Sequence, residues 1–136
     1  MNDSETAVSF LNEAITLGIQ GMERGDGGPF GAVIVQNGTI IARGWNRVLS
    51  SHDPTAHAEI VALREASHYL GRDQLDDCIL YSSCEPCPMC LAALYWARIQ
   101  KVFFAADRHD AAAVGFADEF LYRELLRPPT ERMIPF

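Results

Sequence analysis

Apolar residues recur at Val8, Leu11, Ile15 and Ile19, three to four positions apart, with Asn12, Glu13 and Gln20 between them. That spacing predicts an amphipathic helix over residues 6–22. The turn-forming run Gly25-Asp26-Gly27-Gly28-Pro29 closes it. The period then changes. The β-branched run Ala32-Val33-Ile34-Val35, the dipeptide Asn37-Gly38 and the run Thr39-Ile40-Ile41-Ala42-Arg43 predict a hairpin with strong turn chemistry. After a polar loop over 50–55, residues 57–70 read as a helix. Its start is marked by Asp53-Pro54 or Thr55, and Ile60, Val61, Leu63 and Ala66 are available for an inner face. Residues 78–81 predict a third strand, 89–98 a helix and 101–106 a fourth strand, an alternation that implies parallel crossover units. Helices are expected over 110–114 and 119–126. Pro128-Pro129 then breaks the pattern, and a fifth strand would start at the end of the chain. No repeat, linker or low-complexity segment interrupts this order, so residues 1–136 read as a single three-layer α/β/α domain.

Composition narrows the classes of function. A chain of 136 residues with 49% hydrophobic content buries an ordinary single-domain core. The net charge of -7 argues against capture of a phosphate backbone as the main binding force, which leaves nucleic acid disfavoured and a small, weakly charged substrate favoured. The start, Met1-Asn2-Asp3-Ser4-Glu5, lacks the basic region of a signal peptide, and no apolar run approaches the ~20 residues that cross a bilayer. The expectation is a soluble cytoplasmic protein with reduced thiols and no membrane contact.

Of four cysteines, Cys84, Cys87 and Cys90 crowd into one short stretch, where a metal is the better use than a disulfide in an intracellular chain. Cys87 and Cys90 stand three apart at an expected helix start, so both sulfurs can share one face, and the positive end of the helix favours thiolates. His57, at the start of the other helix, adds a nitrogen. Two sulfurs and one nitrogen suit tetrahedral Zn²⁺, and three protein ligands leave a position for water. Glu59 follows His57 by two residues, which at a helix end lets both side chains reach one pocket. A carboxylate there can take a proton from the water, return it to a substrate nitrogen and pass it to a departing amine. His-Ala-Glu followed by Pro-Cys-Pro-Met-Cys also fits the recognised H-x-E, P-C-x-x-C signature of zinc deaminases. An iron-sulfur site would need a further cysteine near Leu94, which is absent. Cys78 reads as a core filler, His52, His68 and His109 as surface or loop residues, and Tyr95 and Trp96 as core.

On these motifs, together with Gly27-Gly28-Pro29-Phe30-Gly31-Ala32-Val33, Asn46, Ser82-Ser83-Cys84-Glu85-Pro86 and Ala113-Val114-Gly115-Phe116-Ala117-Asp118, the sequence resembles the cytidine deaminase-like superfamily and within it the bacterial guanine deaminases. The resemblance runs over nearly the whole chain. It implies a five-stranded mixed sheet in an α/β/α sandwich, a homodimer, and zinc-dependent hydrolysis of guanine to xanthine and ammonia. It also implies that Phe30 stacks on the purine, that Asn46 and the Ala58 backbone bond its polar edge, that Asp118 helps fix the base, and that the Cys87 amide stabilises the tetrahedral centre. Taken alone, Phe30 reads equally as a core anchor, Asn46 as a turn residue and Asp118 as a solvated charge. The family's C-terminal tail, which closes the pocket and swaps between subunits, is absent from this sequence. Two rivals stand beside this reading. A tRNA adenosine deaminase would need a basic surface, and a purely structural zinc module would need Cys84 as fourth ligand. Other amino-purines, pterins and nucleosides stay open as substrates.

Overall fold

The computed structural model describes residues 3–116 and 118–136; Ala117, within the block that resembles the guanine branch, and the first two residues of the start lie outside it. The hairpin forms as expected. Asn37 and Gly38 take the left-handed conformations, φ 50 and 77, that a two-residue turn of this kind requires. They join β1 (Gly31–Gln36) to β2 (Thr39–Trp45) with Gln36 opposite Thr39. On its other side β1 pairs antiparallel with β3 (Cys78–Cys84), and β3 pairs parallel with β4 (Lys101–Ala106). The order β2-β1-β3-β4 is therefore a mixed sheet in which β1 alone is reversed.

The sheet has four strands among the described residues, not five. After a 3-10 turn at Pro129–Glu131 the chain continues as bends, and Met133, Ile134 and Phe136 are exposed. Three prolines, Pro128, Pro129 and Pro135, remove ladder donors from this stretch and fix its φ angles away from regular pairing.

Alternation along β1 feeds two cores. Ala32 and Ile34 face α3 (Ala58–Leu70) and α4 (Pro88–Trp96), where they pack in one cluster with Leu75, Cys78, Leu80 and Leu94. Val33 and Val35 face α1 (Asp3–Glu23) and join Ala7 and Tyr81, whose ring sits between Phe10 and Phe103 at 4.9 and 5.0 Å. The three layers expected from the sequence are present, and Cys78 is the core filler it was read as.

The inner face of α1 differs from expectation. Its buried positions are Ala7, Ala14, Gly18 and Gly21, while Val8 and Ile19 are exposed. The helix lies against backbone: a Cβ on Gly31 would sit 2.0 Å from the Ala14 carbonyl oxygen, and one on Gly18 would sit 2.8 Å from the Pro29 carbonyl oxygen. Close approach selects small residues there, and hydrophobic size points to the wrong side. Tyr95 and Trp96 also depart from the reading as core. They are 77% and 86% exposed in the last turn of α4, whose buried residues are Cys90 and Leu94. His52, His68 and His109 are exposed as expected. Short helices α2 (Val48–Ser51), α5 (Arg108–Ala113) and α6 (Glu119–Leu126) complete the described chain, and no helix is long and apolar enough to cross a membrane.

Candidate active site

Two helix starts build the site. His57 is the N-cap of α3 with extended backbone, φ -67 and ψ 157, and Cys87 is the N-cap of α4 at φ -67 and ψ 170. Neither side chain caps its own helix, so both are free to meet each other. Asp53-Pro54 and Thr55 therefore precede the α3 cap and do not form it. Pro88 occupies the first position of α4, where a missing N–H costs nothing, and Cys90 follows two residues later. The His57 Nδ1 lies 3.6 Å from Cys87 Sγ and 3.5 Å from Cys90 Sγ, and the three ligand atoms fall within 4.8 Å of one another.

That spacing fits a tetrahedral zinc ion. Zn–S bonds of about 2.3 Å and Zn–N bonds of about 2.0 Å at tetrahedral angles put nitrogen and sulfur about 3.5 Å apart. Cys84, the fourth ligand a closed structural site would need, does not join the cluster among the described residues. Three protein donors leave the coordination open, which is the arrangement of a catalytic site.

Electrostatics in the cluster is uneven. The Cys87 thiol is held down to about 4 by its hydrogen bonds to Cys90 and His57, which outweigh burial, while Cys90 is pushed up by its bond to Cys87 and by burial. His57 is raised, first by its hydrogen bond to Cys87. Metal ligation requires deprotonated thiols and a neutral imidazole, so binding at this cluster is coupled to proton release. Glu59 is 7% exposed, and burial raises its carboxyl above the ordinary range against hydrogen bonds from its own backbone N–H and from Cys90. A buried carboxyl with a raised pKa beside a set of metal ligands is suited to accept and return a proton.

A cavity of about 530 Å³, within the range of small-ligand pockets, opens onto this cluster. Phe30, Asn46, His57, Ala58, Glu59, Cys87 and Asp118 all line it, and Cys90 lies fully buried behind the lining. Phe30 packs against the α3-side core and also meets Phe116 edge to face at 5.0 Å, so it is both an anchor and a cavity wall. The Asn46 side-chain oxygen accepts the Val48 N–H at 3.0 Å. A backbone N–H only donates, so this bond fixes the amide and leaves its NH₂ group for a ligand. Ala58 is the first residue of α3, where an N–H has no acceptor within the helix. Asp118 precedes α6 without capping it, and burial, then the charge of Cys87, raises its carboxyl. It is half-buried in the cavity, which excludes a merely solvated charge.

Sequence reasoning missed Phe116, Leu49 and Glu85, which also line the cavity. Phe116 and Glu85 had a signal only in the family-like blocks that contain them, Glu85 also in its place beside the cysteines.

A three-layer mixed α/β sheet with a His-Cys-Cys cluster at two helix starts and a buried glutamate beside it defines the class of zinc-dependent deaminases. The sequence model of the cytidine and deoxycytidylate deaminase zinc-binding region matches residues 4–106, and the chain belongs to that family. It is 60% identical over 128 residues to guanine deaminase from Bacillus subtilis, covering 94% of this chain and 82% of that protein. The X-ray structure of Bacillus subtilis guanine deaminase superposes with a TM-score of 0.94 at 58% identity, over 100% of this chain and 84% of that one. A tRNA-specific adenosine deaminase from Aquifex aeolicus is more distant, 44% identical over 97 residues, which are 71% of this chain and 64% of that protein.

Proposed function

We infer that this chain is a zinc-dependent guanine deaminase, hydrolysing guanine at C2 to xanthine and ammonia. The observation that carries the reading is the near full-length likeness to the Bacillus subtilis enzyme, together with an open three-ligand cluster beside a cavity large enough to admit a purine. His57, Cys87 and Cys90 hold the metal. Zinc supplies the Lewis acidity that makes a water nucleophilic at neutral pH. Glu59 takes one proton from the attacking water and delivers it to a ring nitrogen beside C2, then moves the remaining hydroxyl proton to the amine, which leaves as ammonia as the C2–N bond breaks and the C2 carbonyl forms. Phe30 stacks on the base. Asn46 donates from its fixed NH₂ group, the Ala58 N–H donates from the start of α3, and Asp118 accepts from the base.

Residues 1–136 act as one catalytic domain, and the active form is a homodimer in the cytoplasm. The exposed Tyr95 and Trp96 of α4, and β4 at the end of the strand order, support association of two copies. Four unpaired cysteines support a reducing compartment. The zinc-loaded protein is expected to release ammonia from guanine, with no release from adenosine in a tRNA stem. Release from the RNA alone would replace guanine by adenosine as the substrate.

A further inference from the structure

Glu85 lies on the wall of the cavity and takes no part in the chemistry above. Its backbone is fixed by the sheet, because its N–H donates to the Ala106 carbonyl at 2.7 Å just past the Cys84–Ala106 pair of β3 and β4. Its side chain bonds the same segment two residues further on. Oε1 accepts the backbone N–H of Arg108, the first residue of α5, at 2.9 Å. The capping box of α5 already joins the Asp107 N–H to Asp110 Oδ2 and the Asp110 N–H to Asp107 Oδ1, at 3.0 and 2.8 Å. Both of those bonds are internal to the helix start. The Glu85 side-chain bond ties this turn to the cysteine loop, beside a long contact of Cys84 Sγ with the Asp107 carbonyl at 4.0 Å.

Arg108 extends the tie to α6: its guanidinium lies 4.2 Å over the Tyr122 ring and its Nε stands 3.9 Å from Glu119. Between these two anchor points the chain carries Phe116 and Asp118 into the cavity. Apolar packing there is thin. Among the described residues only Ala111 of α5 is buried, and no residue of α6 is. In a segment with so little buried apolar surface, polar ties set the position and the local stability.

We propose that Glu85 is a positioning residue for substrate recognition: its carboxylate holds the first turn of α5, and with it Phe116 and Asp118, against the loop that bears the cysteines. The kinetic consequence rests on the guanine deaminase reading, while the structural one does not. The experiment compares zinc-loaded parent, Glu85→Ala and Glu85→Gln by guanine kinetics, zinc content and amide exchange. Loss of a hydrogen bond from a charged acceptor is expected to raise KM about tenfold in Glu85→Ala, with a smaller change in kcat. Exchange at residues 107–116 should quicken, with β1 exchange and zinc content at parent levels. Glu85→Gln keeps a carbonyl acceptor and should restore both KM and exchange. Parent-like KM and exchange in Glu85→Ala would overturn the proposal, as would a Gln variant no better than Ala, or zinc loss with unchanged exchange. If the parent itself leaves guanine intact, the functional reading fails while the exchange comparison still decides the clamp.

Discussion

Replacing Gly44 with alanine tests how closely α3 must approach the sheet for the site to assemble. A Cβ at this position would stand 2.4 Å from the Ala58 carbonyl oxygen and 2.7 Å from the Ala62 nitrogen, both backbone atoms of α3. Real Cβ contacts essentially never fall below 3.0 Å, so the start of the helix must retreat by about 0.6 Å, the difference between 3.0 and 2.4 Å. Overpacking of this kind costs about 1–3 kcal/mol. For a chain of this size each kcal/mol lowers Tm by roughly 3–5 °C, so a fall of about 3–15 °C is expected. The retreat also moves His57 and Glu59, at the same end of α3, away from Cys87 and Cys90 on α4. Misplacement on the scale of an ångström costs up to about a hundredfold in rate, so kcat/KM should fall about 10- to 100-fold. Thermal unfolding followed by circular dichroism and ammonia release from guanine measure the two effects. A Gly44→Ala protein with unchanged Tm and parent kcat/KM would refute the reasoning that close packing of α3 positions the site.

Leu80 is fully buried in the core under α3 and α4, so Leu80→Ala should lose about 2–5 kcal/mol in urea unfolding, and a loss under about 1 kcal/mol would contradict that packing. Asp77 bonds Gln36 at 2.8 Å and Arg72 at 2.7 Å, and these hold its carboxyl down to about 2 from 3.8, the Gln36 bond contributing most. A carboxyl lowered on folding adds stability above its unfolded value and loses it as pH falls through the folded one. Asp77→Asn should therefore flatten the loss of Tm between pH 4 and about 2, and an unchanged acid limb would count against the assignment. Glu59 works in the opposite sense: burial raises its pKa, so its contribution is present below 4.5 and is lost as pH rises through the folded value. The metal-free Glu59→Gln chain should consequently have a higher Tm than the metal-free parent at pH 8 and none of its activity when loaded, and a lower Tm would overturn the account of that burial.

The metal ligands were legible because their geometry is local. Cys87 and Cys90 are brought together by one turn of helix, and His57 and Glu59 by one helix start, so short motifs carry the information. The hairpin was legible for the same reason, since Asn37 and Gly38 encode their own turn. What escaped depends on partners far along the chain. The inner face of α1 was misplaced because backbone approach at Gly31 and Gly18 selects small residues over large ones. Tyr95 and Trp96 differ from the core reading because hydrophobicity alone does not say which side of a short helix the fold covers, and here that side carries Cys90 and Leu94. Phe116 and Glu85 became visible only through Phe30 and Arg108, which fold topology brings beside them. The fifth strand was read from the apolar end of the chain, which forms no ladder in the structure.

The most direct test of the central claim is ammonia and xanthine release from guanine by the zinc-loaded protein, measured beside Glu59→Gln with zinc content recorded for both. The account predicts equal amounts of the two products from the parent and near silence from Glu59→Gln with its zinc retained. Release that persists in Glu59→Gln, or a parent that deaminates another amine and leaves guanine untouched, would contradict it.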